Sequence, residues 1–354
     1  MHILLLITGF VLLILSGNFL VKGAVSIARF YKISTLVIGA TVVSLGTSAP
    51  ELIVSVGAAL KGKPDMALGN VIGSNISNIA LVLGLTALVL PIPVRRGSIR
   101  YDWLIMMFAS VLFLVFVITG KLLTRLEGII MVSGLAAYVV WSIYNSRKLN
   151  AKDEEISETQ KSFWFTFSDI KMLIKTGDRS LPLSLAFILV IISSIGLVYG
   201  AGFLVEGASG MARTLGVSER VIAVTVIALG TSIPELATSI MAAIKKEMDI
   251  SIGNIIGSNI FNLLGILGIT SIVLPIPLKD PGLLQDIIWM LIISFILILL
   301  IIPFDKKFRI KNRITCFLDF FRNNCTTGGK ITRREGILLS LIYTVYIVLV
   351  FAFT

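Results

Sequence analysis

The sequence contains one histidine, His2, and two cysteines, Cys316 and Cys325. That scarcity removes whole classes of chemistry. No set of His and Cys at zinc-ligand spacing is present, and neither an HExxH motif nor a buried Ser–Lys dyad offers metallohydrolase or nucleophilic work. No enzyme and no cofactor are expected. Charge is also thin: 14 % of residues are charged against 56 % apolar, with a mean hydropathy of +0.96. Such a chain cannot cover a soluble sphere with polar side chains, so it belongs in lipid.

A bilayer core roughly 30 Å thick needs about 20 mostly apolar residues per helix. Ten stretches meet that length: Ile3 to Val21, Leu36 to Leu60, Met66 to Val94, Trp103 to Gly120, Gly128 to Tyr144, Leu181 to Val205, Val221 to Ile244, Ile250 to Leu278, Ile287 to Phe304 and Gly336 to Phe353. They leave no soluble domain. The first lacks a basic start and an A-x-A site, so it is expected as a mature helix rather than a signal peptide.

The net charge of +11 is distributed by loop, which writes membrane topology rather than a nucleic-acid footprint. With the N-terminus outside and Lys22 counted with the first span, the inner connections carry 23 Lys and Arg and the outer ones 7. Both termini are therefore expected to face outward from the plasma membrane. Cys316 and Cys325 then fall on the reducing side as ordinary thiols. Arg95, Arg96 and Arg100, with the run from Lys306 to Arg313, are the candidates for contact with anionic lipid heads.

The chain repeats itself. A gapless match at an offset of 184 residues sets Phe19–Pro93 against Phe203–Pro277, and 30 of the 55 positions from Gly39 to Pro93 are identical to their counterparts. Each half holds five spans, an odd number, so the second enters the membrane from the opposite side. The expected fold is all-α: ten transmembrane helices in two inverted five-helix repeats, residues 1–144 and 181–354, joined by a cytosolic linker over 145–180. Inverted repeats are an architecture of secondary transporters, which bind their cargo at the midplane.

Glu51 and Glu235 lie within apolar stretches at equivalent positions, where an ionised carboxylate costs at least several kcal/mol unless compensated. Thr47 and Glu51 are four residues apart, as are Ser74 and Asn78, Thr231 and Glu235, and Ser258 and Asn262. That spacing places each pair on one face of a continuous helix. All eight are oxygen donors, the set that suits hard cations such as sodium and calcium rather than transition metals. Pro50 and Pro234 each remove a backbone donor, and the carbonyls expected to be released lie near Ser44 to Thr47 and Ala228 to Thr231. Most glycines of the third and eighth spans are expected to serve close helix packing. Lys22 and Glu206, at matching positions, are read as snorkelling to the interface.

The motif pairs GTSAPEL with GSNISN and GTSIPEL with GSNIFN resemble the alpha repeats of the cation/calcium antiporter superfamily, specifically its prokaryotic sodium/calcium exchangers. The resemblance covers the whole ten-span plan. It implies ion ligands from Thr47, Ser48, Glu51, Ser74 and Asn78 and from Thr231, Ser232, Glu235, Ser258 and Asn262, with the carbonyls of Ser44 and Ala228. It also implies that spans 1 and 6 slide across the other eight helices, a motion that Gly17, Gly23, Gly200, Gly202 and Gly207 would permit. Some relatives, including the potassium-dependent branch, carry Asp where this chain has Asn262, so potassium dependence is not expected. The proton/calcium branch has a GNA-type motif in place of GTS, which favours sodium as the counter-ion here and leaves proton exchange as the alternative. The connection over 145–180 is too short for calcium-sensing domains. Partners are calcium, sodium and membrane lipids, with a monomer large enough to bury its own site. A cation channel is the other transport reading, but one site within inverted repeats fits alternating access better than a continuous pore.

Overall fold

The computed structural model describes residues 1–94, 96–120, 122–153, 181–216, 228–277, 282–301 and 329–353. Both cysteines, the Lys306–Arg313 run, Arg95 and the segment 154–180 lie outside the described residues. The elements are α1 (His2–Tyr31), α2 (Thr35–Thr47), α3 (Ala49–Leu60), α4 (Pro64–Val89), β1 (Ile92–Val94), α5 (Arg96–Thr119), β2 (Leu122–Leu123) and α6 (Arg125–Asp153). There follow α7 (Leu183–Thr214), α8 (Ala228–Gly230), α9 (Ile233–Ile244), α10 (Met248–Val273), β3 (Ile276–Pro277), α11 (Gly282–Ile301), β4 (Gly329–Ile331) and α12 (Arg333–Phe353). Seven of the described helices are long and apolar enough to cross a membrane, and eight if the bent pair α2 and α3 is one span. α6 runs through Asp153, nine residues into the stretch expected as linker.

The repeat is visible in the local structure. α4 carries a π turn at Asn78–Val82, and α10 carries one at Phe261–Leu267. Such one-residue insertions into the helical ladder are frequent where a helix must present groups for function. The two short antiparallel pairings also correspond: β1 lies against β4 with Ile92 opposite Ile331, and β2 against β3 with Leu123 opposite Ile276. Each leads into a helix through the same device. The Thr124 and Thr332 backbone N–H groups each donate to a glutamate three residues on, Glu127 and Glu335, at 2.6 Å. This is a T-x-x-E capping arrangement.

The chain divides into two compact units, Met1–Ala49 with Ala136–Asn254, and Pro50–Leu135 with Ile255–Thr354. Each takes segments from both halves of the sequence.

In the first unit α1 packs along α7. A Cβ at Gly9 would stand 2.7 Å from the Gly200 carbonyl oxygen, and one at Gly23 would stand 2.9 Å from that of Ala186. The helices therefore meet backbone to backbone, which lets dispersion forces hold them where lipid supplies no hydrophobic drive. Leu20, Ala24 and Ile27 fill the seam, while Leu4, Ile7, Phe10 and Leu15 face outward as a lipid-facing surface would. Gly207 lies against the start of α1, whereas among the described residues nothing within 4 Å opposes Gly202. Of the glycines expected to permit sliding, Gly17 alone, among the described residues, faces a helix outside the α1–α7 pair: α9, through Ala237 and Met241.

In the second unit α11 packs on α4 and α5, and the Trp103 indole N–H donates to the Ser294 carbonyl at 2.7 Å. α12 closes on the last turns of α4, where a Cβ at Gly336 would stand 2.7 Å from the Gly84 carbonyl oxygen.

Candidate ion-binding residues

In the first unit, α2 stops at Ser48, whose φ of −88° and ψ of 9° leave the helical region. α2 and α3 meet there at a 47° bend. The expected continuous face carrying Thr47 and Glu51 is thus broken between them. The second motif breaks likewise, with Thr231 and Ser232 in a turn between α8 and α9. Proline explains the position: neither Pro50 nor Pro234 can donate back into the preceding turn, and each is accommodated in the first turn of a new helix.

The break does not release the Ser44 carbonyl. It accepts the Ser48 backbone N–H at 2.9 Å, and the Thr47 hydroxyl shares its one hydrogen between this oxygen, at 3.3 Å, and Asn254. Its second lone pair is the one that ion ligation would share. Ala228 opens α8.

Ser48 is fully buried and donates its hydroxyl to Oε1 of Glu235 at 2.9 Å. Glu235, also fully buried, sits in the first turn of α9. The unpaired amides and dipole of a helix N-terminus favour a negative charge there. Ser232, at the N-cap, keeps its hydroxyl buried and without a hydrogen-bond partner among the described residues. Thr47 donates to Oδ1 of Asn254 at 3.1 Å, and Asn254 in turn donates to Ser239 at 3.2 Å. Beyond α9, burial and the nearby charge of Lys22 push the Lys245 ammonium below the usual lysine range, against a smaller opposite pull from Glu247.

The second unit holds Glu51 in the first turn of α3, fully buried. The Asn70 amide donates to the Glu51 carbonyl at 3.3 Å and to Ser55 at 3.0 Å, repeating the bond from Asn254 to Ser239. Ser74 and Asn78 on α4 and Ser258 and Asn262 on α10 are all buried. Asn78 donates its amide to Oδ1 of Asn259 at 3.1 Å, and Asn262 donates to Oδ1 of Asn75 at 3.0 Å. The carboxamide oxygens of Asn78 and Asn262 have no hydrogen-bond partner among the described residues.

The structure thus joins Ser48 to Glu235, and it adds four asparagines that motif reading left out: Asn70, Asn254, Asn75 and Asn259. Their signal was available, because each is identical to its counterpart 184 residues away. Among the described residues no group of three or more His, Cys, Asp or Glu side chains could hold a metal. Buried carboxylates flanked by hydroxyls and amides can compensate a hard cation that sheds its water, and do so with oxygen alone.

Comparison with known proteins agrees with this chemistry. The family described as sodium/calcium exchanger protein matches residues 1–144 and 185–352. The sodium/calcium exchanger MaX1 of Methanosarcina acetivorans is 30 % identical over 99 % of this chain and 98 % of its own. The putative antiporter CaxA of Alkalimonas amylolytica is 36 % identical over 88 % of this chain and 93 % of its own. The inner membrane protein YrbG of Escherichia coli is 37 % identical over 84 % of this chain and 87 % of its own. A solved structure of the sodium-calcium exchanger NCX_Mj, soaked with zero Na+ and Ca2+, superposes with a TM-score of 0.72 at 28 % identity, covering 99 % of this chain and 98 % of that one. With its two GTS-x-PEL motifs, its buried glutamates and its match along nearly the whole length, the chain is a membrane transporter that belongs to the sodium/calcium exchanger family of the cation/calcium antiporters.

Proposed function

We propose that this protein exchanges sodium for calcium across the plasma membrane by alternating access, with ten spans in two inverted repeats and both termini outside. The observation that carries the reading is the pair of fully buried glutamates, Glu51 and Glu235, at equivalent positions of a duplicated motif. Two carboxylates hold at most a charge of minus two, which one calcium or two sodium ions balance. Sodium and calcium therefore compete for the same groups. The α1 and α7 pair moves only when the buried charge is compensated, since carrying ionised carboxylates through an apolar surround costs several kcal/mol or more.

The ligands in this reading are the side chains of Thr47, Ser48, Glu51, Ser74, Asn78, Thr231, Ser232, Glu235, Ser258 and Asn262 with the carbonyls of Ser44 and Ala228. Hydroxyls in the GTS segments, and the name of the full-length relative MaX1, support sodium as the counter-ion. Proton exchange is the alternative reading, and the relative described as the putative antiporter CaxA is in keeping with antiport coupled to either ion.

Calcium-45 uptake into proteoliposomes decides between them. Uptake that needs internal sodium, and fails with internal potassium or an imposed pH gradient, is the expected result. Uptake driven by the pH gradient establishes proton coupling, and uptake with no counter-gradient overturns antiport.

A further inference from the structure

Asn75 and Asn259 stand outside the ligand set, yet they form a reciprocal hydrogen-bond pattern in the second unit. The Asn75 amide donates to the backbone carbonyl of Asn259 at 3.3 Å, and the Asn259 amide donates to the backbone carbonyl of Asn75 at 3.3 Å. Their second amide hydrogens face thioethers, Met290 for Asn75 at 3.6 Å and Met106 for Asn259 at 3.7 Å. Met106 and Met290 are themselves 184 residues apart.

These partners determine which way each amide faces. A backbone carbonyl and a thioether sulfur only accept, so the nitrogen of each carboxamide must point at them and its oxygen must point the other way. That oxygen in turn admits only a donor. On Asn75 the donor is Asn262, and on Asn259 it is Asn78. Asn262 and Asn78 consequently face Asn75 and Asn259 with their nitrogens and have their oxygens turned away. Those two oxygens are the ones left buried without a hydrogen-bond partner among the described residues. An unpaired buried carbonyl is unfavourable, and a carboxamide able to rotate would relieve that cost by presenting its other end.

We propose that Asn75 and Asn259 are positioning residues, a reciprocal clamp that orients Asn262 and Asn78 so that both present oxygen, not nitrogen, to the transported cation. The clamp rests on the reading that Asn78 and Asn262 are ion ligands. It works crosswise, Asn75 on Asn262 and Asn259 on Asn78, so each half of the sequence orients the ligand of the other.

Double-mutant cycles on the half-saturating calcium concentration of reconstituted full-length protein test it, with sodium-driven uptake as the assay and equilibrium calcium binding as the second readout. Asn262→Leu and Asn75→Leu should each raise that concentration roughly tenfold, the lower end of the effect of losing a partner that orients a metal ligand. The double variant should be no worse than either single one, because Asn75 has nothing to orient once the Asn262 oxygen is gone. Asn259→Leu with Asn78→Leu should behave likewise, whereas Asn75→Leu with Asn78→Leu should multiply. Unchanged calcium affinity in Asn262→Leu and Asn78→Leu sinks the ligand reading itself. Normal affinity in Asn75→Leu and Asn259→Leu, with those two impaired, sinks the clamp alone, as do multiplicative crosswise pairs. Failure of both clamp variants to yield monodisperse protein also overturns the proposal, since the pair would then carry the fold rather than an orientation.

Discussion

Ser48 and Glu235, 187 residues apart in sequence, meet through a hydroxyl-to-carboxylate hydrogen bond of 2.9 Å at full burial. The contact ties the end of α2 to the first turn of α9, the two elements that carry the duplicated motif within the first unit. Removing the hydroxyl in Ser48→Ala withdraws both a donor to Glu235 and a proposed ligand. Hydrogen bonds to charged groups contribute about 1.5–3 kcal/mol, so the half-saturating calcium concentration should rise roughly tenfold to a hundredfold. Calcium-45 uptake against calcium concentration checks this, and an unchanged curve would remove Ser48 from the site.

Neutralising either glutamate should be more severe. Glu51→Gln and Glu235→Gln preserve shape and hydrogen bonding but remove the charge that a divalent cation must meet once its water is gone. Each variant should insert and run as a monodisperse species yet show no sodium-dependent calcium uptake above that of empty vesicles. Near-normal flux in either one would mean that the ion charge is compensated elsewhere.

How far sequence alone reaches is visible in these same residues. Identity at an offset of 184 marked Ser48 and Glu235, because buried charge in an apolar run has few structural uses. The broken second span was half legible: Pro50 announced an interruption, but the face shared by Thr47 and Glu51 assumed a continuous helix. The Ser44 carbonyl is bonded because its partner is the N–H of Ser48; the donor that Pro50 lacks would have served Gly46, four residues back. The π turns carry no hydropathy signature, since an inserted residue changes the ladder and not the composition. Asn75, Asn259, Asn70 and Asn254 are a related case, because nothing in an amide's type or spacing names the partner that the fold brings to it.

Asn262→Asp tests the oxygen-presenting geometry from the other side. Asn262 now donates to Oδ1 of Asn75, and an ionised aspartate has no hydrogen to give. Two acceptors would face each other, and the proposed ligand set would gain one more negative charge. Sodium should then compete differently with calcium, with the half-inhibiting sodium concentration shifted by roughly tenfold, about 1.4 kcal/mol. Uptake measured across a sodium series checks it, and an unaltered competition curve would count against Asn262 as a ligand.

Motion of α1 makes a prediction independent of ion chemistry. Gly17 faces α9, where an added Cβ would lie 3.1 Å from the Met241 side chain and 3.3 Å from the Ala237 carbonyl oxygen. Gly9 and Gly23 instead face α7, so bulk at those two positions would separate helices proposed to travel together. Gly17→Leu adds its volume only where α1 passes α9. If α1 slides there, the larger side chain must cross the ridges of α9, and close-packed interiors resist even one added methylene. Maximal exchange should fall roughly tenfold or more while equilibrium calcium binding stays within about twofold of the parent protein, an asymmetry that separates a slowed conformational step from a damaged site. Parallel loss of binding and exchange would place the fault in the fold, and normal exchange would show that α1 does not slide past α9 at Gly17.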